Sequence, residues 1–149
     1  MGGAMKLPWY IKPGNKVLVA LSRLGFGFGN KGPVVLTVSG RKSGKPRSTP
    51  VTPMVVDGKR YVAGLPGADW IANARAAGQA TLRRGRRTEQ VRMTELPEAE
   101  QRPMLRRLPI EVPGWIGFLR SAGLIIDGTP DDFEELADTM PIFRFDPIP

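Results

Sequence analysis

The chain contains neither cysteine nor histidine. Without thiols there are no disulfides and no thiolate nucleophile. Without imidazole there is no Ser-His-Asp triad, no histidine-mediated proton transfer, no zinc site of His or Cys ligands and no His-ligated haem. Aromatic residues make up only 7%, and none lies inside a basic cluster, so a stacking platform for nucleic acid is disfavoured. No apolar run reaches the roughly 18 residues of a membrane span. The best stretch, Val17 to Phe28, is broken by Ser22, Arg23 and several Gly, and it lacks the cleavage site of a signal peptide. An enzyme with this composition has little reactive side-chain chemistry of its own, so a bound cofactor would have to carry the reaction.

What is abundant is turn chemistry and positive charge. The 149 residues suit one domain, and 18 Gly with 15 Pro argue against a helix bundle and for short strands joined by tight turns. The net charge of +8 is unevenly spread. Residues 1–87 hold 16 Lys/Arg against 2 Asp/Glu, whereas residues 88–149 hold 6 against 12. Two segments, RKSGKPR (41–47) and RRGRR (83–87), carry four cations each. Such clusters suit phosphate-bearing small molecules, nucleic acid or an anionic membrane.

Residues 13–24 carry Val17, Leu18, Leu21 and Leu24 on one helical face. The β-branched run 33–39 predicts a strand, GRKSGKPR a turn, and 48–56 a second strand bent at Pro50 and Pro53. Asp57-Gly58 is a hairpin turn leading into a third strand at 60–65. Asp69 is placed to cap a helix over 70–77 that Gly78 ends. Strands over 79–83 and 86–95 flank a hairpin at Arg84-Gly85. Helices are expected over 97–108, 113–122 and 130–139, the last capped by Thr129, and a closing strand over 141–146. Hairpin-linked strands with few crossovers predict a mainly β chain: a small antiparallel barrel with helices packed outside it.

The segment GRKSGKPRSTP (40–50) sets four cations beside Ser43 and Thr49 on a tight turn. Gly40 and Gly44 free the backbone to bend. Arg41 and Arg47 can grip phosphate or carboxylate in a bidentate fork, Lys42 adds a point charge, and Ser43 and Thr49 offer short hydrogen bonds. The bland alternative is a solvated hairpin tip that protects an edge strand.

VVLTVSGRKSGKPRSTPV, then DGKRYVAG, then DWIANARAAG resembles the deazaflavin-dependent nitroreductase family of actinobacteria over residues 33–95. The resemblance implies a split β-barrel of the flavin-reductase, FMN-binding type spanning residues 1–149. Residues 1–28 would form an N-terminal amphipathic helix, 33–95 the barrel core and cofactor site, and 97–149 helices and the closing strand. It implies coenzyme F-420, an 8-hydroxy-5-deazaflavin with a phosphodiester and a polyglutamate tail; flavin mononucleotide is the second choice. By the same resemblance Arg41, Lys42 and Arg47 hold the phosphate and tail carboxylates, with Ser43, Gly44 and Thr49 lining that region. Ala63, Gly64, Leu65, Pro66 and Gly67 border the ring, and Trp70 and Asn73 match a Trp-x-x-Asn helix start. Taken without the family, Trp70 and Asn73 share a helix face as a core Trp and a polar side chain bonding the glycine loop. Here the loop GLPGADW is shorter than in the family's reductases and Pro66 replaces a Lys. With Tyr10 and Tyr61 as the only tyrosines, a preference for nitroimidazoles is not expected.

Two further features stay open. RRGRR reads as a clamp for an acidic tail, a membrane contact or an exposed turn. VPGWIGFLRSAGLII, with Trp115, Ile116, Phe118, Leu119 and Leu124, reads as a lid over an apolar pocket, a dimer surface, an interfacial segment or plain core. The expectation is an F-420-dependent reductase that delivers a hydride to a small apolar acceptor: an enone, a quinone or a nitroaromatic. Its location would be cytoplasmic, with a peripheral membrane contact through residues 1–28 and a homodimer as further options; nucleic acid is disfavoured. The alternative is a non-catalytic binder of a fatty acid or similar lipid.

Overall fold

A computed structural model describes residues 33–149. The helix read over 13–24 and the N-terminal piece 1–28 lie outside the described residues. The elements run β1 (Val34–Ser39), β2 (Pro46–Val51), β3 (Met54–Val56), β4 (Lys59–Ala63), α1 (Asp69–Ala77), β5 (Gln79–Arg84), β6 (Arg87–Glu95), α2 (Glu98–Glu111), α3 (Gly114–Ser121), α4 (Pro130–Glu134) and β7 (Ile142–Pro147).

The seven strands form one sheet in the order β2-β1-β5-β6-β7-β4-β3, with every neighbouring pair antiparallel. That order forces the sheet to curl. β2 and β3 lie at opposite edges, about 29 Å apart if the sheet were flat. Yet only Thr52 and Pro53 separate them in the chain, a step of at most about 11 Å. The sheet therefore wraps until its edges approach, giving the split barrel, with β2 and β3 unpaired to each other. The single bent strand expected over 48–56 is corrected accordingly: it is two strands on opposite edges. The Thr52–Pro53 step is the corner between them, where Pro has no N–H to give a ladder.

Alternation splits the apolar residues into two cores. One fills the barrel, with Leu36 and Val38 from β1, Val62 from β4, Leu82, Val91, Phe143 and Phe145 from the other strands, and Ile71 and Ala74 of α1 plugging one end. The other lies outside β3, β4 and β7, where Tyr61, Ala63 and Ile142 meet Leu105 and Leu108 of α2, Leu119 of α3 and Phe133 of α4. The helices thus cover one side of the barrel. At the end reached by Arg60 and Glu89, those two side chains make a bidentate pair, with both N···O distances 2.8 Å.

Several boundaries differ from the sequence reading, among them the end of α2, at Glu111 rather than 108, and of β4, at Ala63 rather than 65. Asp69 does not cap α1; Ala68 stands at the cap without a side-chain bond and Asp69 is the first helical residue, an acid at the positive helix end. The hairpin after β5 turns on Gly85-Arg86, since Arg84 pairs with Arg87. The last helix stops at Glu134, although Thr129 caps it in a full capping box as expected. Beyond it, the buried Gln101 amide donates to the carbonyls of Ala137 and Met140 and holds that stretch in turns.

Candidate functional site

Two clefts meet along the open edge of the barrel. Opposite residues on paired strands share a face. Arg47, Thr49 and Val51 of β2 pair with Val38, Leu36 and Val34, all buried in the barrel, so they point inward at the split. Across from them stand the loop 64–68 and the first turn of α1.

The first cleft, about 620 Å³, is lined by Gly40, Arg41, Lys42, Ser43, Arg47, Ser48 and Thr49 on one side and Ala68, Asp69, Trp70 and Asn73 on the other. Its turn closes on itself: Gly40 N–H donates to the Lys45 carbonyl, Gly44 N–H to the Gly40 carbonyl, and Lys45 N–H to Ser43 Oγ. Gly44, at φ +72°, takes the left-handed conformation the turn requires and does not itself line this cleft. Lys42 and Arg47 have no carboxylate partner among the described residues. Arg41 reaches Asp69 only at 4.0 Å, and that carboxylate is 90% exposed. Three cations facing one weakly engaged acid make this cleft an anion site by chemistry.

The second cleft, about 350 Å³, carries no charged lining residue among the described residues. Pro33, Pro50, Val51, Ala63 and Leu65 form its floor. Val112, Gly114, Trp115 and Phe118 form the far wall, the last two meeting edge to face with centroids 6.1 Å apart. Thr49, Ala68 and Trp70 line both clefts, so the two are continuous. Trp70 is the partition; its ring packs on Phe143 of the barrel core at 5.6 Å. The groove is therefore polar and cationic at one end, apolar and aromatic at the other.

Of the residues singled out by sequence, Arg41, Lys42, Ser43, Arg47, Thr49, Trp70 and Asn73 gather at the cationic end, while Ala63 and Leu65 fall at the apolar end. Gly64 lines neither. A Cβ there would stand 2.6 Å from Ile71 Cδ1 and 3.1 Å from Trp70 Cζ2, so its role is to let α1 sit against β4. Pro66 and Gly67 line neither; they lie in a third cavity of about 410 Å³ with Arg75, Glu95 and Asp138, which adjoins the cationic cleft through Arg41, Ala68 and Asp69. There, bidentate hydrogen bonds from the Arg75 guanidinium hold the Glu95 carboxyl below its usual range. Asn73 bonds Arg41 rather than the glycine loop. RRGRR lies toward the other end of β1, since Val35 pairs with Arg83 while the cationic turn follows Ser39. The sequence pointed to Trp115 and Phe118 through their apolar stretch; both line the apolar cleft and pack against the second core, in which Leu119 of the same stretch is fully buried. Ala68, Pro50 and Val112 had no local signal.

The family model described as F420H2-dependent quinone reductase matches residues 19–116. No curated protein matches the chain. Among solved structures, one described as an F420-H2 dependent reductase is 18% identical, covering 76% of this chain and 93% of its own, with a TM-score of 0.53. Another, described as a domain-swapped dimer, is 18% identical over 93% and 97% with a TM-score of 0.56. An FAD-binding protein from Mesorhizobium loti is 16% identical over 88% and 89% with a TM-score of 0.51. At these identities the structures share the split-barrel fold with this chain.

Proposed function

The chain belongs to the F420H2-dependent quinone reductase family, and on that premise we propose that this reductase passes a hydride to a small, flat, apolar acceptor: a quinone, an enone or a nitroaromatic. Coenzyme F-420, in its reduced form, supplies the hydride when bound. The observation that carries the reading is the continuity of the two clefts, cationic and apolar, through Thr49, Ala68 and Trp70. A ligand with an anionic tail and a planar head fits that sequence of surfaces.

In this reading Arg41, Lys42 and Arg47 take the phosphate and carboxylate oxygens, with Ser43 and Thr49 adding hydroxyl donors. Trp70, Ala63 and Leu65 border the ring. Trp115 and Phe118 pack against the acceptor and exclude water from it. Among the described residues no titratable side chain lines the apolar cleft, and in this reading solvent supplies the proton that completes reduction. A lipid-binding protein would leave the larger, cationic cleft without a purpose. Among the described residues no helix is long and apolar enough to cross a membrane. A cytoplasmic location and a homodimer are part of the proposal.

The test is an anaerobic assay with reduced F-420 and a benzoquinone, following return of the oxidised deazaflavin absorbance. Protein-dependent turnover is expected. Binding of F-420 without turnover of any quinone, enone or nitroaromatic would overturn the acceptor class. A co-purified fatty acid with no F-420 binding would favour the lipid alternative.

A further inference from the structure

We propose that Asn73 is a positioning residue of the cationic cleft: it fixes Arg41, and through it the spacing between the anion grip and the Trp70 wall. The inference rests on the reading of that cleft as the handle for the coenzyme's phosphate and carboxylates. Asn73 and Gln101 are the buried polar side chains among the described residues, and Asn73 is 4% exposed. Gln101 serves the helical layer; Asn73 faces the cleft. Its Oδ1 accepts two hydrogen bonds from one residue, from Arg41 N–H at 3.0 Å and from Arg41 Nη1 at 2.9 Å. Both partners are donors only, so the amide oxygen, not the nitrogen, must face them. An oxygen engaged by two donors has no attraction for an anion.

The consequence is mechanical. The other hydrogen bonds of the 40–45 turn are internal to it. The Asn73 bonds are the short ones that tie it to α1. Lys42 and Arg47 have no such tie among the described residues. Trp70 lies three positions before Asn73 on the same helical face, so one rigid element holds both the cation and the aromatic partition. A guanidinium held in place before binding loses less side-chain freedom on meeting its ligand.

The experiment is a fluorescence titration of the full-length protein with F-420 across a salt series, for wild type, Arg41→Ala, Asn73→Ala and the double variant. Arg41→Ala should weaken binding about tenfold or more, and Asn73→Ala roughly three- to tenfold. In the Arg41→Ala background Asn73→Ala should cost clearly less than in the wild type, because the guanidinium it fixes is gone and only its bond to the backbone N–H of residue 41 remains. Salt sensitivity should fall in Arg41→Ala and persist in Asn73→Ala, which keeps the charge. Asn73→Ser, too short to reach the Arg41 guanidinium but polar, should repeat this cycle, and it carries the test if the alanine variant does not fold. Equal losses from Asn73→Ala in both backgrounds would mark Asn73 as a direct ligand or scaffold and overturn the inference alone. An Arg41→Ala variant with wild-type affinity would overturn the reading of the cleft, and this inference with it.

Discussion

Replacing Arg47 by Ala separates ligand grip from fold. The Arg47 side chain points inward at the split from β2, opposite Val38, and has no ion pair among the described residues. Its removal breaks no described salt bridge and opens no core cavity, so stability should move by no more than about 0.5 kcal/mol. For a chain of this size that is about 2 °C in melting temperature. The cost to binding is larger. A charged hydrogen bond to a phosphate or carboxylate contributes about 1.5–3 kcal/mol, which is roughly 10- to 150-fold in Kd. The site is open to solvent, so the lower end of that range applies at high salt, where the Debye length is only a few ångströms. Arg47→Lys keeps the charge but loses the planar fork and should fall between the two. The assay is isothermal titration with F-420 at low and high salt, beside a thermal melt of each variant. A melting temperature that drops by several degrees while Kd stays put would make Arg47 structural and refute the reasoning.

Gly64→Ala places a methyl 2.6–2.8 Å from Ile71; overpacking of this kind costs about 1–3 kcal/mol, so the melting temperature should fall, and an unchanged melt would show that α1 can shift freely. Phe118→Ala should raise KM for the acceptor with little change in F-420 affinity, checked by initial rates at saturating reduced coenzyme; a loss of F-420 affinity instead would move Phe118 to the ring site. Hydrogen bonds from Arg60, Arg75 and Arg144 hold the carboxyls of Glu89, Glu95 and Asp146 below their ordinary values. Depressed folded-state values give stability that is present above the ordinary carboxylate range and lost as pH falls through the folded values. With no histidine in the chain, the melting temperature should stay nearly level from about pH 5.5 to 7.5 and decline below about pH 4.5; Glu89→Gln should shallow that acid limb, and a melting temperature that rises on acidification would contradict the assignment.

Local signals served the fold well where the physics is local. The β-branched run of β1, the Asp57-Gly58 turn and the Thr129 cap each act within a few residues, and each appears where the chain spells it. The Pro-rich stretch 46–56 misled because its two halves join opposite edges of the sheet, a relation set by pairing with β1 and β4 rather than by its own residues. The site followed the same division. The cationic turn was legible because its charges are contiguous. Its tie to Asn73, 32 residues away, was not, since a buried amide carries no pattern in the chain. Pro66 and Gly67 sit next to cleft residues in sequence, yet they line the neighbouring cavity, which meets the cationic cleft only through Arg41, Ala68 and Asp69. The two Arg clusters look alike, and only strand register sets them at opposite ends of β1.

The most direct test of the continuous groove compares two titrations of the wild-type protein at low salt, one with F-420 and one with the deazaflavin chromophore stripped of its phosphate and glutamates. Arg41, Lys42 and Arg47 acting on the tail predict at least about a hundredfold tighter binding of the complete coenzyme, with the gap narrowing as salt rises. Equal affinities for the two, at any salt concentration, would mean that the cationic cleft does not hold the tail and would contradict the account.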